Sequence, residues 1–130
     1  MSFSELSLSA PFLTLVEKNA YTTPYPIQVA AIPAILRGQD VLGIAQTGSG
    51  KTASFVLPIL QQLQHKKPAT NRHIKALILV PTRELAMQVG EVFKIFSEKL
   101  PRPVKSLAVF GGVSINPQMM GLQGVEVLIE

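Results

Sequence analysis

Eight consecutive residues carry the densest chemistry in the chain: Ala45-Gln46-Thr47-Gly48-Ser49-Gly50-Lys51-Thr52. They fit the spacing of a phosphate-binding loop, with Ala where the pattern opens on Gly. A triphosphate is polyanionic and has to be met by many donors at short range. Gly48 and Gly50 let successive backbone N–H groups turn toward one point, because glycine tolerates positive φ and places no Cβ in the way. A helix starting at the end of the loop adds its unpaired N–H groups and the positive end of its dipole. Lys51 then reaches the β- and γ-phosphates as a point charge, and the Thr52 hydroxyl holds a Mg²⁺ that bridges them. The plain alternative is a glycine-rich turn before an ordinary helix. The flanks decide against it: the apolar run Asp40–Ala45 reads as a short buried strand, and Thr52–Leu57 as the start of a helix.

Other residues with chemical potential are weaker on their own. Thr82 and Arg83 follow an apolar run closed by Pro81, so Thr82 reads as a helix cap with Arg83 beside it. Gly111 and Gly112 form a doublet that serves equally as a plain turn. Gln28, by spacing alone, is a solvent-facing helix residue. Neither His65 nor His73 has a Cys, a second His or a carboxylate at metal-ligand spacing, so neither is assigned a role.

The elements that must position these groups alternate in type. A polar lead, Met1–Ser7, contains Phe3. Ser9 caps a first helix with Pro11 in its first turn, and Phe12, Leu15, Val16 and Ala20 form its apolar face. Pro24 and Pro26 break the chain. A second helix runs from Pro26 to Gly38, with Ile27, Ala30, Ala31 and Ala34 on one face. The helix after the phosphate loop runs to about Gln64 despite Pro58. A basic loop, His65–His73, follows with Lys66, Lys67 and Arg72. Ala76–Val80 reads as a strand buried on both faces. The next helix buries Leu85, Val89, Val92, Phe93 and Phe96 and stops at Pro101 and Pro103. Val104–Phe110 is a strand, Gln118–Leu122 a helix, and Val125–Ile129 a strand. This alternation predicts an α/β fold: a parallel sheet with helices on both faces and the ligand at the carboxyl ends of the strands.

Composition sets limits. The chain has 130 residues, enough for one modest domain; 47% are apolar and 15% charged, as in a globular protein rather than a disordered one. No apolar run approaches bilayer-spanning length, which predicts no membrane partner and a cytoplasmic setting. The absence of Cys removes disulfides and thiol chemistry. A net charge of +4 permits a nucleic-acid partner without demonstrating one.

Four separated motifs then agree in order. Tyr21-Thr22-Thr23-Pro24-Tyr25-Pro26-Ile27-Gln28, with Phe3 upstream, resembles the Q motif of DEAD-box RNA helicases. Ala45–Thr52 resembles their motif I, Pro81-Thr82-Arg83-Glu84-Leu85-Ala86 their motif Ia, and Gly111-Gly112 their glycine doublet. The stretch Val109–Met120 is especially similar to the bacterial RhlE branch. The resemblance covers residues 1–130 as the N-terminal part of a RecA-like (P-loop NTPase) domain, with the Q motif in 3–28. It implies an ATP-dependent RNA helicase with ATP and Mg²⁺ as cofactors. It also implies adenine contact by Gln28, stacking by Tyr21 with Phe3 packed over it, and phosphate contact through Ala45 to Thr52. Lys51 and Thr52 become the groups that act on the reacting phosphates, with Thr52 on the metal. Pro81, Thr82, Arg83, Gly111 and Gly112 become contacts to RNA backbone, a sequence-tolerant mode of binding. Ribosome-related assemblies enter as partners by the same resemblance. Two departures, Ala20 for a frequent Gly and Tyr25 for a frequent Thr, remove no binding group.

The family's acidic Asp-Glu-Ala-Asp motif, its Ser-Ala-Thr motif and its second RecA-like domain do not occur in these residues. Residues 1–130 by themselves are therefore expected to bind nucleotide and RNA without turnover. Strands that flank the phosphate-loop strand in the family are missing as well, and self-association through open sheet edges is expected.

Overall fold

The computed structural model describes residues 2–66, 74–111, 114–122 and 124–130. His73, Lys67, Arg72 and Gly112 lie outside the described residues.

The chain begins with a short 3₁₀ turn, Phe3–Glu5, whose Phe3 is buried. Helix α1, Ala10–Lys18, starts at Ser9 with Pro11 in its first turn and buries Phe12, Leu15 and Val16, the expected spacing. Ala20 does not join that face. It lies past the helix end, exposed, with φ +63°, where the chain must turn back toward the Pro24–Pro26 segment. Helix α2, Pro26–Leu36, buries Gln28, Ala31 and Ile32. That stripe runs i, i+3, i+4 from Gln28, so Ala30, expected inside, faces out. Helix α3, Lys51–Gln64, ends where expected and buries Ala53, Val56, Leu57, Leu60 and Leu63 together with Pro58.

The sheet contains three parallel strands in the order β1-β3-β2, with β1 Ala76–Ile78, β2 Ser106–Ala108 and β3 Val127–Ile129. Helix α4, Arg83–Ser97, lies between β1 and β2 in sequence, and helix α5, Ile115–Met120, between β2 and β3. Each strand is shorter than its apolar run, although the ladder continues through Val80 N–H to Glu130 C=O at 2.8 Å and Val109 N–H to Ile129 C=O at 2.8 Å. Helix α4 stops at Ser97, before Pro101, and α5 begins three residues earlier than its apolar residues suggest.

Strand alternation sorts the two faces. Ile78, Ile129 and Ala108 stand in register and turn to α4, where Gly90 would bring a Cβ within 3.6 Å of Ile129 and 3.7 Å of Ala108. Leu77, Leu128 and Leu107 form the row on the opposite face, and Gly121, just past α5, lies against Leu107. Helices therefore cover both faces, but incompletely. Leu77 is 56% exposed and Leu79 71% exposed, so β1 is not buried on both sides as its apolar run suggested.

The larger departure is the segment Asp40–Ala45, expected as a buried strand. It is not a strand among the described residues, and Leu42 and Ile44 are 86% and 84% exposed. An apolar run states what a segment can bury. A strand needs a partner edge as well, and no described strand offers one there.

Polar anchors hold the amino end of the sheet. Buried Glu126 accepts from Arg102 Nη2 at 2.8 Å and pairs with Lys75 Nζ at 3.2 Å. Ser97 Oγ both accepts from Val104 N–H at 2.7 Å and donates to its C=O at 2.8 Å. On the far side, the Gln61 amide accepts from Ser9 N–H at 2.8 Å and donates to Ser7 C=O at 3.0 Å, tying the N-terminal lead to α3.

Candidate functional site

Two grooves meet the carboxyl half of the sheet. The first lies between the phosphate loop and β1, has a volume of about 840 Å³, and includes Tyr21, Thr47, Gly48, Gly50, Lys51 and Thr52 in its wall. The second, about 540 Å³, is framed by Pro81, Thr82, Arg83 and Gly111. Val80 belongs to both.

The phosphate loop has the conformation its glycines were expected to supply. Gly48 and Gly50 both sit at φ +81°, and Gly50 is the residue that caps α3. Ser49 N–H donates to Gln46 C=O at 3.2 Å, and the Ser49 hydroxyl donates to the same oxygen, which closes the turn. Lys51, first in α3, is exposed, while Thr52 is half-buried behind it. A helix start, two left-handed glycines and a free ammonium group form an anion cradle. Gly50 has no alternative residue. A Cβ there would stand 2.5 Å from Gln28 Nε2 and 2.7 Å from Tyr25 Cδ2.

Gln28 is the clearest correction to the local reading. It is 0% exposed rather than solvent-facing. Its Oε1 accepts from Tyr25 N–H at 2.9 Å, and its Nε2 donates to Gly50 C=O at 3.2 Å. The amide thus joins the start of α2 to the phosphate loop. Each of its polar atoms retains one further bonding position, but the side chain has no exposed surface and is not part of the groove wall.

Tyr21 borders the first groove. Its ring packs edge-on against Phe3 with centroids 6.2 Å apart, and against Phe96 at 5.6 Å. Burial, reinforced by the neighbouring Tyr25, raises its phenol above the usual tyrosine range. Phe3 itself is in the core at 4% exposure, behind Tyr21 rather than over an open base site.

At the second groove, Thr82 caps α4 by accepting from Leu85 N–H at 3.1 Å, as its spacing predicted. Arg83, the first residue of α4, is exposed beside it. Gly111 follows β2 on the same edge. The structure therefore brings Pro81, Thr82, Arg83 and Gly111 together, while Gly112 is outside the described residues. Sequence reasoning passed over Gln118, which lines this groove and accepts from Phe110 N–H at 2.8 Å. Its position one turn into α5 was the available signal.

Among the described residues, no three His, Cys, Asp or Glu side chains stand close enough to hold a metal ion. Thr52 beside the phosphate cradle fits a Mg²⁺ that arrives with its nucleotide. No described helix is long and apolar enough to cross a membrane.

Comparison with known proteins adds a family match, two relatives and two solved structures. The profile of the DEAD/DEAH box helicase family matches residues 25–130. The chain is 44% identical over 129 residues to the ATP-dependent RNA helicase DeaD of Escherichia coli K12, a match spanning 98% of this chain and 20% of that one. It is 45% identical over 118 residues to the DEAD-box ATP-dependent RNA helicase RhpA of Helicobacter pylori, spanning 90% and 22%. The chain thus spans about a fifth of the length of these curated relatives. Among solved structures it is similar to a DEAD box protein of the hyperthermophile Methanococcus jannaschii, with TM-score 0.85, 35% identity, and coverage of 98% of this chain and 34% of that one. The RNA helicase Prp28 of Chaetomium thermophilum, solved with ADP bound, gives the same score and identity, with coverage of 98% and 31%.

Proposed function

The chain belongs to the DEAD/DEAH box helicase family, and from that premise we propose that it grips ATP and faces RNA in an ATP-dependent RNA helicase reaction. The observation that carries the reading is the cradle of Gly48, Gly50 and Lys51 at the start of α3, with Gln28 wired into it.

The residues divide the work. Main-chain N–H groups of the loop and of the start of α3, apart from the Ser49 N–H that closes the turn on Gln46, bind the phosphates, and Lys51 neutralises charge on the outer pair. The Thr52 hydroxyl would hold a Mg²⁺, which would supply charge neutralisation at the phosphates. Gln28 would read the adenine edge, whose N6–H and N7 suit an amide and differ from guanine's O6 and N7, once the loop that covers it moves aside. Tyr21 forms the aromatic wall nearby. Thr82, Arg83, Gly111 and the start of α4 meet RNA phosphates and sugars, so binding tolerates sequence. The ADP-bound relative supports the nucleotide assignment. Duplex separation coupled to hydrolysis, a place in ribosome-related assemblies and a cytoplasmic setting are proposed for the reaction as a whole. The chain's own part is binding of nucleotide and RNA. Exposed Leu42, Ile44, Leu77 and Leu79 favour self-association of this chain along its open edges.

Titration with a fluorescent ATP analogue and Mg²⁺ tests the reading. The expected result is saturable binding weakened at least tenfold in Lys51→Ala, with no turnover when RNA is added. Equal affinity in Lys51→Ala would remove the phosphate assignment. RNA-stimulated turnover abolished by Lys51→Ala would give the chain catalysis as well as binding.

A further inference from the structure

We infer that Gln118 is a positioning residue for the RNA-facing edge, an inference that rests on the RNA reading above. Its side-chain amide makes two bonds, one to Phe110 and one to Ser114. Oε1 accepts from Phe110 N–H at 2.8 Å, and Nε2 donates to Ser114 C=O at 3.2 Å. Phe110 N–H can only donate and Ser114 C=O can only accept, so the amide has one orientation that serves both. Phe110 lies just beyond β2, and Ser114 is the residue before α5. One side chain therefore fixes the exit of the strand relative to the entry of the helix.

The consequence falls on Gly111, which follows Phe110 directly and lines the same groove as Thr82 and Arg83. Nothing lies within 4 Å of where a Gly111 Cβ would stand, and its main chain continues directly from Phe110, whose N–H the amide holds. The partner side of the groove is already fixed, because Thr82 Oγ1 accepts from Leu85 N–H at 3.1 Å. Backbone recognition of RNA needs the two sides at a set separation, since a sugar-phosphate chain has a fixed repeat. Thr82 sets one side and Gln118 the other. Gln118 acts on RNA through Phe110 and Gly111, not by touching it.

The test compares Gln118→Met, which keeps side-chain length and removes both bonds, with Arg83→Ala, which removes a phosphate contact. The probe is a labelled single-stranded oligouridine titrated into the full chain at several salt concentrations, alongside MgATP titration and amide hydrogen exchange. In Gln118→Met, RNA affinity is expected to fall roughly fivefold, the scale of one lost hydrogen bond. The salt dependence stays as in the unsubstituted chain, MgATP affinity is unchanged, and Phe110 N–H exchanges faster while Leu85 N–H does not. In Arg83→Ala, affinity falls and the salt slope flattens by about one. A merely structural role for Gln118 would leave RNA affinity unmoved or lower MgATP affinity in parallel, and either result overturns the inference. Unchanged Phe110 exchange overturns it as well. If Arg83→Ala weakens RNA binding and Gln118→Met does not, the RNA reading stands and this inference alone fails. If the unsubstituted chain does not bind the probe, or Arg83→Ala leaves binding intact, the RNA reading fails and the inference goes with it.

Discussion

Gln28 donates from Nε2 to the main-chain oxygen of Gly50 at 3.2 Å, so the residue proposed to read the base is bonded to the loop proposed to hold the phosphates. The two halves of a nucleotide site share one amide. Gly50 is confined by this arrangement, with φ +81° and the side chains of Gln28 and Tyr25 occupying the place a Cβ would take.

Gln28→Ala is expected to strip Tyr25 N–H and Gly50 C=O of their partner at a position with 0% exposure. The stability loss is about 1–3 kcal/mol, read from urea denaturation. ATP binding weakens and the preference for ATP over GTP narrows. An unchanged ATP/GTP ratio would take Gln28 out of the base site and leave it a structural link.

Gly50→Ala and Gly48→Ala separate strain from collision. Both glycines have φ +81°, which costs an alanine on the order of 1 kcal/mol. Only at Gly50 does a Cβ also meet Gln28 and Tyr25, at 2.5 and 2.7 Å; at Gly48 nothing lies within 4 Å. Gly50→Ala is therefore expected to destabilise the fold clearly more than Gly48→Ala and to abolish MgATP binding. Equal melting temperatures for the two variants would show that the α2 contact does not constrain the loop.

Ala20→Gly is expected to stabilise the chain. Ala20 holds φ +63°, a region that penalises a Cβ. Relief of that strain exceeds the added freedom of glycine in the unfolded chain, for a net gain of up to about 1 kcal/mol. A lowered melting temperature would contradict it.

Tyr21 gives an alkaline signature. Burial first, then the neighbouring Tyr25, raises its phenol above the ordinary value of 10.0. The folded state therefore keeps the proton longer than the unfolded state. Its contribution to stability is complete below pH 10.0 and is lost as pH rises from there through the folded pKa. Stability measured from pH 9 to 11 is expected to fall less steeply in Tyr21→Phe than in the unsubstituted chain. Parallel curves would show that the ring is solvated.

The sequence revealed what local chemistry determines. The phosphate loop, the Thr82 cap and the Phe93–Phe96 stripe are set by neighbours a few residues away, and each was legible. What depends on distant partners was not. The Asp40–Ala45 run is apolar enough to be a strand, yet Leu42 and Ile44 are exposed because no described strand pairs with it. Ala76–Val80 promised burial on two faces, but α4 covers one side while Leu77 and Leu79 lie open. Gln28 looked like a surface amide because only the folded chain carries Gly50 to it, and Gln118 went unnoticed because its bond to Phe110 crosses a turn.

The Gln61 clasp on Ser7 and Ser9 has a practical bearing. It places the amino-terminal arm mechanically in series with α3, whose opposite end holds Lys51. Phe3, Leu6 and Leu8 of that arm are buried in the core to which α3 also contributes, so apolar contacts hold the arm together with the clasp. Cutting the clasp with Gln61→Ala would release Ser9 N–H and Ser7 C=O to water while buried Phe3, Leu6 and Leu8 kept the arm seated.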